Sequence, residues 1–201
     1  MKEPGEKGIV PLALAQGEGE LFLLQRVQAL GLPVAPTWVV RLEEEFYRLN
    51  NLEERLRDLF RGVFGVRIDE ERLLWAVEEA GRAVRESYLL PERAEAFLEA
   101  LRGRGPFAVR RGGEARALGA ATPQAALFAL KRLWAESFRV EAVLGRFPHL
   151  LPPFLPVLVQ EAGEAVEDPF LSLDLSQALG QKVVVYTWEG QVVRIESGHG
   201  G

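Results

Sequence analysis

Five arginines crowd residues 102–116 of this chain: Arg102, Arg104, Arg110, Arg111 and Arg116, against Glu114 alone, with Gly103, Gly105, Gly112 and Gly113 interleaved. A local charge of +4 stands out in a protein whose formal net charge is -5. The chemistry such a stretch can do is anion binding. Guanidinium groups at the end of a buried strand offer forked donors, and glycines after them let backbone N–H groups turn toward a phosphate or carboxylate. The same residues also suit two solvated turns flanking an edge strand, and charge alone does not choose between the two.

Other catalytic chemistry has little to stand on. Cys is absent, which excludes disulfides, thiolate metal sites and cysteine nucleophiles. Only His149 and His199 exist, and neither has a second ligand at i+3 or i+4, so no His-based metal site or local triad signature forms. His199 is expected in a glycine-rich tail and His149, between Pro148 and Leu150, in a structural role. There is no Walker A sequence, and no Gly-x-Gly-x-x-Gly follows a strand; Gly17-Glu18-Gly19 precedes a helix but is acidic, which repels phosphate. The run Glu43, Glu44, Glu45 is expected as the solvated start of a helix rather than a cation site.

The elements that must position the arginines are legible from pattern. Composition is that of a globular domain, 48% hydrophobic and 26% charged, and a chain of this length buries roughly 70% of its unfolded surface. Its net charge provides no general positive field for nucleic acid or an anionic membrane. Met1-Lys2-Glu3-Pro4 lacks the apolar core of a signal peptide, and the most apolar run, Leu150 to Gln160, is short and broken by Pro152, Pro153 and Pro156, so a cytoplasmic protein is expected. Arg outnumbers Lys 20 to 4, with two Asn and one Met, which suits high-GC coding, pressure against thermolabile residues and a thermophilic source.

Residues 1–17 are expected as a lead-in with a short strand at Gly8 to Leu14. Leu21, Leu24, Val27 and Leu30 recur at helical spacing before Gly31, and after two prolines Thr37-Trp38-Val39-Val40 reads as a buried strand. Residues 42–61 suit one or two amphipathic helices broken at Asn50-Asn51. Asp69 caps a long helix through Tyr88, Pro91 opens another, and Thr122-Pro123 opens a third. Pro106 to Arg110 and Leu155 to Gln160 read as strands, and Lys182 to Tyr186 with Gln191 to Ile195 as a hairpin around Trp188-Glu189-Gly190.

Four segments in order carry a family resemblance. Gly19-Glu20-Leu21 through Leu30-Gly31-Leu32-Pro33-Val34-Ala35-Pro36-Thr37 resembles the opening of the pyruvate- and nucleotide-binding (ATP-grasp) domain of phosphoenolpyruvate synthase and pyruvate phosphate dikinase. Leu89-Leu90-Pro91 leading to Phe107-Ala108-Val109-Arg110-Arg111-Gly112 is similar to that family's Leu-Pro helix and Ala-Val-Arg-Ser-Ser strand. Leu133-Trp134-Ala135-Glu136-Ser137-Phe138 and Val157-Leu158-Val159-Gln160 are similar to its Val-Trp-Ala-Ser-Leu-Phe and Val-Val-Val-Gln segments. The likeness covers about residues 18–160 and implies an α/β (α+β) fold. That fold is a partial ATP-grasp-like domain whose small mixed sheet, from strands near 37–40, 106–110, 155–160 and 181–196, is packed by several helices. It implies a lead-in at 1–17, one domain at 18–196 with two lobes parting near 112–122, and a tail at 197–201.

The departures bear on function. The family's first-loop lysine, which contacts nucleotide phosphate, falls at Glu20, and exchanging +1 for -1 beside a polyphosphate reverses the sign of the interaction. Its Ser-Ser pair becomes Arg111-Gly112, and the 41 residues after Gln160 are too few for the family's second half, with its metal carboxylates. Phosphoryl transfer rests on positioning and charge neutralisation, so the resemblance implies a stand-alone, degenerate and non-catalytic relative that binds a nucleotide or other anion or regulates. The alternatives are an interaction protein with no ligand and half of a split ATP-dependent phosphotransferase completed by another chain.

The ligand-binding residues so implied are Arg110 and Arg111, the backbone at Gly112 and Gly113, Arg104 as an outer contributor, and Glu20 in the lysine's place. No catalytic or metal-binding residue is assigned, and no cofactor is required, ATP or another phosphate-containing anion being the ligand class these groups suit. A protein partner is allowed; nucleic acid and membrane are not expected. Arg110 is the arginine expected to face inward, paired with a ligand or with a carboxylate such as Glu20, because a buried guanidinium without an acid or anion is strongly unfavourable.

Overall fold

The computed structural model describes residues 8–198. The first seven residues of the expected lead-in and the last three of the expected tail, His199 among them, lie outside the described residues. In chain order the elements are β1 (Ile9–Pro11), α1 (Glu20–Ala29), β2 (Thr37–Val40), α2 (Glu43–Leu49), α3 (Leu52–Leu59), α4 (Glu70–Glu86), α5 (Pro91–Ala100), β3 (Phe107–Arg111) and β4 (Leu118–Ala120), then α6 (Pro123–Ala135), α7 (Val140–Arg146), β5 (Val157–Glu161), β6 (Val166–Glu167), α8 (Pro169–Leu179), β7 (Val183–Trp188) and β8 (Gln191–Ser197).

The expected single mixed sheet is replaced by two antiparallel ones. A five-stranded sheet runs β1-β2-β5-β3-β4 and a three-stranded sheet runs β6-β7-β8. β2 and β3 point the same way, but β5 enters between them in the opposite sense, with Thr37 opposite Gln160 and Phe107 opposite Glu161. The C-terminal hairpin is therefore not a continuation of the first sheet. Nor is residue 9 onward a separate lead-in, since Ile9 pairs with Val40 at the sheet edge. The stretch 112–122 holds the β3–β4 connection and β4 itself, paired with β3 in one sheet with Phe107 opposite Ala120, rather than a parting of lobes.

Alternation along the strands builds a layer on each face of the large sheet. Trp38, Val40, Phe107, Val109, Val157 and Val159 join one core with α2 to α7. Val39 and Leu158, one register step away, join the other core with Leu21, Leu24 and Val27 of α1, Leu175 of α8 and Val185 and Ile195 of the small sheet. The sheet is thus covered on both faces, and any polar side chain on it must find a partner inside.

Local signals set most boundaries. Asn51 takes a left-handed φ of 49° between α2 and α3, and Asp69 and Thr122 accept from the N–H groups of Arg72 and Ala125. Glu189 and Gly190 both have positive φ, 48° and 79°, which matches the two-residue turn that hairpin twist requires. α8 carries the same start signals, Asp168 at its cap and Pro169 at its first position, with Gly180 at φ 71° after its end. The Asp168 carboxylate accepts the Leu171 N–H at 3.0 Å. Asp168→Ala is expected to lower stability by about 1 kcal/mol, read as a lower urea midpoint at unchanged slope.

Candidate functional site

β3 runs one residue beyond Arg110, so Arg110 and Arg111 leave the strand on opposite faces, and both are buried. Arg110, only 1% exposed, enters the layer between the large sheet and the small one. Its guanidinium meets the Glu20 carboxylate side on, Nη1 donating to Oε1 at 2.5 Å and Nη2 to Oε2 at 3.0 Å. Its remaining N–H groups reach Gln160 Oε1 at 3.1 Å, the Val193 carbonyl at 3.1 Å and the Glu114 carbonyl at 3.4 Å. All five donors are engaged.

Glu20 is equally saturated. It opens α1 directly after Gly19, whose φ of 57° turns the chain into the helix, and its charge sits where the helix dipole favours an acid. Besides Arg110, its Oε1 accepts the Gly113 N–H at 3.0 Å and its Oε2 the Ile195 N–H at 2.9 Å. Four donors from β3, the loop after it and β8 thus converge on one carboxylate. Gln160, fully buried, ties the assembly to β2 through Thr37 Oγ1 at 3.1 Å and to β8 through the Val193 carbonyl at 2.7 Å. The cradle of arginine and glycine N–H that suits an anion is real in geometry, and its occupant is the protein's own side chain.

Arg111 has a separate partner on the helical face. Its Nη1 and Nη2 donate to Glu43 at 3.0 and 3.2 Å, and Nη2 also reaches Ser137 Oγ at 3.0 Å. Glu43 is 3% exposed, so the acidic triplet is not a uniformly solvated helix start: Glu44 is exposed, Glu45 pairs with Arg93 at 3.0 Å, and Glu43 is a buried counter-ion. Burial pushes the Glu43 pKa above its ordinary value, against the bonds and charge of Arg111 that lower it.

The remaining expected site residues part company. Gly113 joins the Glu20 cradle, whereas the Gly112 N–H is taken by the Pro156 carbonyl at 3.2 Å. Arg104 is not an outer contributor. It lies beyond the opposite end of β3, over the Trp38 ring at 5.1 Å and within 3.5 Å of Glu161, because an extended strand carries it away from Arg110. His149 is exposed.

Cavities lie on both sides of the buried pair. Arg110 forms part of the wall of a cleft of about 620 Å³ with Ala108, Gly119, Ala162, Val193 and Arg194, between the large sheet and β8. Glu20 and Gly113 line another of about 570 Å³ with Gly17, Gly19 and Arg41. Among the described residues no three His, Cys, Asp or Glu side chains gather as a metal site, and no helix is long and apolar enough to cross a membrane.

Sequence reasoning did not find Glu43, Ser137 or the Ile195 N–H. Ser137 and Ile195 carry no local signal of their role, whereas an acid at the first turn of a helix whose next turn holds Phe46 and Tyr47 could have marked Glu43 as facing inward. Compared with known proteins, this chain of mixed α/β architecture, with two antiparallel sheets and a self-filled anion cradle, matches no family model and no curated protein.

Proposed function

We propose that this protein is a non-catalytic, regulatory binding domain, a degenerate relative of the ATP/pyruvate-binding domain of phosphoenolpyruvate synthase and pyruvate phosphate dikinase. The observation that carries this reading is the Glu20 carboxylate seated against Arg110, Gly113 and Ile195. A phosphoryl clamp must present cations and N–H groups to the ligand. Here those groups are spent on an internal anion, and a phosphate brought to them would meet a negative charge. What stays open is the cleft of about 620 Å³, a volume within the range of small-molecule sites and walled largely by alanine and glycine. A small organic ligand would be held there by contact rather than by a phosphate clamp.

Isothermal calorimetry and turnover assays test this. Inorganic phosphate and phosphoenolpyruvate are expected to give no heat, and ATP is expected to bind no more tightly than adenosine. ATP hydrolysis or pyruvate phosphorylation that depends on a divalent metal and is lost on substitution of Arg110 would overturn the reading. The saturated cradle also favours a second reading, an interaction protein with no small ligand, and silence from adenosine as well as ATP would select it.

A further inference from the structure

A second buried polar cluster lies across the large sheet from Glu20, and its donors and acceptors do not balance. Arg111 and Glu43 neutralise each other there in a two-pronged pair. Arg146, at the end of α7, brings a further positive charge to the same place. Its Nε donates to the Leu150 carbonyl at 3.0 Å and its Nη1 to the Ser137 carbonyl at 2.5 Å, and the group lies 5.1 Å from the centre of the Phe138 ring. Its Nη2 is buried with no partner. Tyr47, 3% exposed, feels the charges of Glu43, Arg111 and Arg146, and its hydroxyl is also buried with no partner. Ser137 Oγ accepts from Arg111, which leaves its own proton unspent.

The unspent groups of this cluster include three donors, Tyr47 O–H, Arg146 Nη2–H and Ser137 O–H, beside hydroxyl oxygens that can also accept. Two guanidinium groups, Arg111 and Arg146, share the charge of Glu43, and Arg146 is bonded only to carbonyl oxygens among the described residues. Burying unpaired donors beside a cation that shares its only counter-ion is unfavourable, and a water molecule answers only half of it, accepting hydrogen bonds without supplying charge. An anion supplies both. A route exists, because Arg111, Ser137 and Arg146 line a cavity of about 370 Å³, whose other charged lining residues are Arg139, Glu136 and the exposed Glu114 and Glu141. Glu136 at the mouth is already neutralised by Arg116 and Arg139, at 2.7 and 3.1 Å.

We propose that Tyr47, Ser137 and Arg146 form a site for a small monovalent anion, a halide or a carboxylate group, separate from the Arg110 cradle. The site is independent of the function proposed above. Burial holds the Arg146 guanidinium below its usual pKa, with Tyr47 and Glu43 opposing the effect and the charge of Arg111 adding to it; a bound anion opposes both lowering causes. Because Tyr47 Oη and Arg146 Nη2 are both buried, and Arg146 but not Tyr47 lines the cavity, the ligand must present a single compact anionic group.

The test is thermal unfolding of the full chain in rising bromide or formate, with ionic strength held constant by a bulky sulfonate. A saturable rise is expected, about 3–6 °C at tenfold excess over Kd. Tyr47→Phe and Arg146→Met are expected to abolish it. A response to bromide alone identifies a halide site and a response to formate alone a carboxylate site. Crystals soaked in bromide or formate are expected to show the responding anion within hydrogen-bond reach of Tyr47 Oη and Arg146 Nη2, bromide by its anomalous peak. Melting points that ignore both anions, an equal rise in both variants, or a water at that position in both soaks would overturn the proposal, and the soaks decide it even if a variant fails to fold.

Discussion

Glu20→Ala is expected to destabilise the fold by about 3–5 kcal/mol, on the order of 10 °C in melting temperature. The substitution leaves the Arg110 guanidinium, 1% exposed, without its counter-ion, and strands the N–H groups of Gly113 and Ile195. Breaking one half of a buried pair is costly because the other half remains buried and charged. Glu20→Gln keeps the shape and one acceptor oxygen and should fall between the wild type and the alanine variant. Combining Glu20→Ala with Arg110→Met should be less damaging than the sum of the two single changes, since the uncompensated charge leaves with the arginine. Urea unfolding of the four variants measures this. The cavity left in Glu20→Ala is a carboxylate-shaped vacancy with its donors in place, so formate or acetate should recover part of the loss. A Glu20→Ala variant within 1 kcal/mol of the wild type would mean that the pair contributes nothing to the fold.

Arg111→Leu is expected to cost a similar amount at neutral pH, about 3–5 kcal/mol, and its penalty should shrink as the pH falls. Glu43 already has a native pKa above its ordinary 4.5, through burial first, with Arg111 working against that rise. Because the native state holds this proton more tightly than the unfolded chain, the Glu43 contribution is fully present below 4.5 and is lost as pH rises through the raised native value. Removing Arg111 removes the leading causes that lower the native pKa, so the window over which stability falls with rising pH widens upward. Measured as the difference from the wild type, the destabilisation should be largest at pH 8 and smallest near pH 5. A difference that stays flat across that range would show that Glu43 does not carry the charge assigned to it. Arg111 also bonds Ser137, so Ser137→Ala is the control that separates loss of that hydrogen bond from loss of the ion pair.

Both predictions come from adjacent residues, and the pairing was only partly legible beforehand. That Arg110 must be matched by an acid or an anion follows from the cost of a bare buried guanidinium, and Glu20 was the candidate acid because the resemblance sets it where the family carries a lysine. That Arg111 is buried too was not legible. The strand pattern ends in two charged residues followed by two glycines, which reads equally well as a strand running out into solvent. β4 was missed because Leu118-Gly119-Ala120 has little strand propensity of its own and becomes a strand by pairing with β3. α8 was missed although its proline start and glycine end were present, because its apolar residues do not fall in a clean helical stripe.

What the sequence by itself determined is local. The caps at Asp69 and Thr122, the left-handed residue at Asn51, the turn at Glu189-Gly190 and the β-branched runs at Thr37–Val40 and Val183–Trp188 act over a few residues, so they are written where they act. What only the tertiary structure decided is which distant charges meet. Glu20 and Arg110 are 90 residues apart, Glu43 and Arg111 are 68, and β5 enters between β2 and β3 from still further along. The reason is that a charge carries no address. Any acid suits any arginine in solution, and the choice is made when burial on both faces of the sheet leaves each guanidinium one carboxylate within reach.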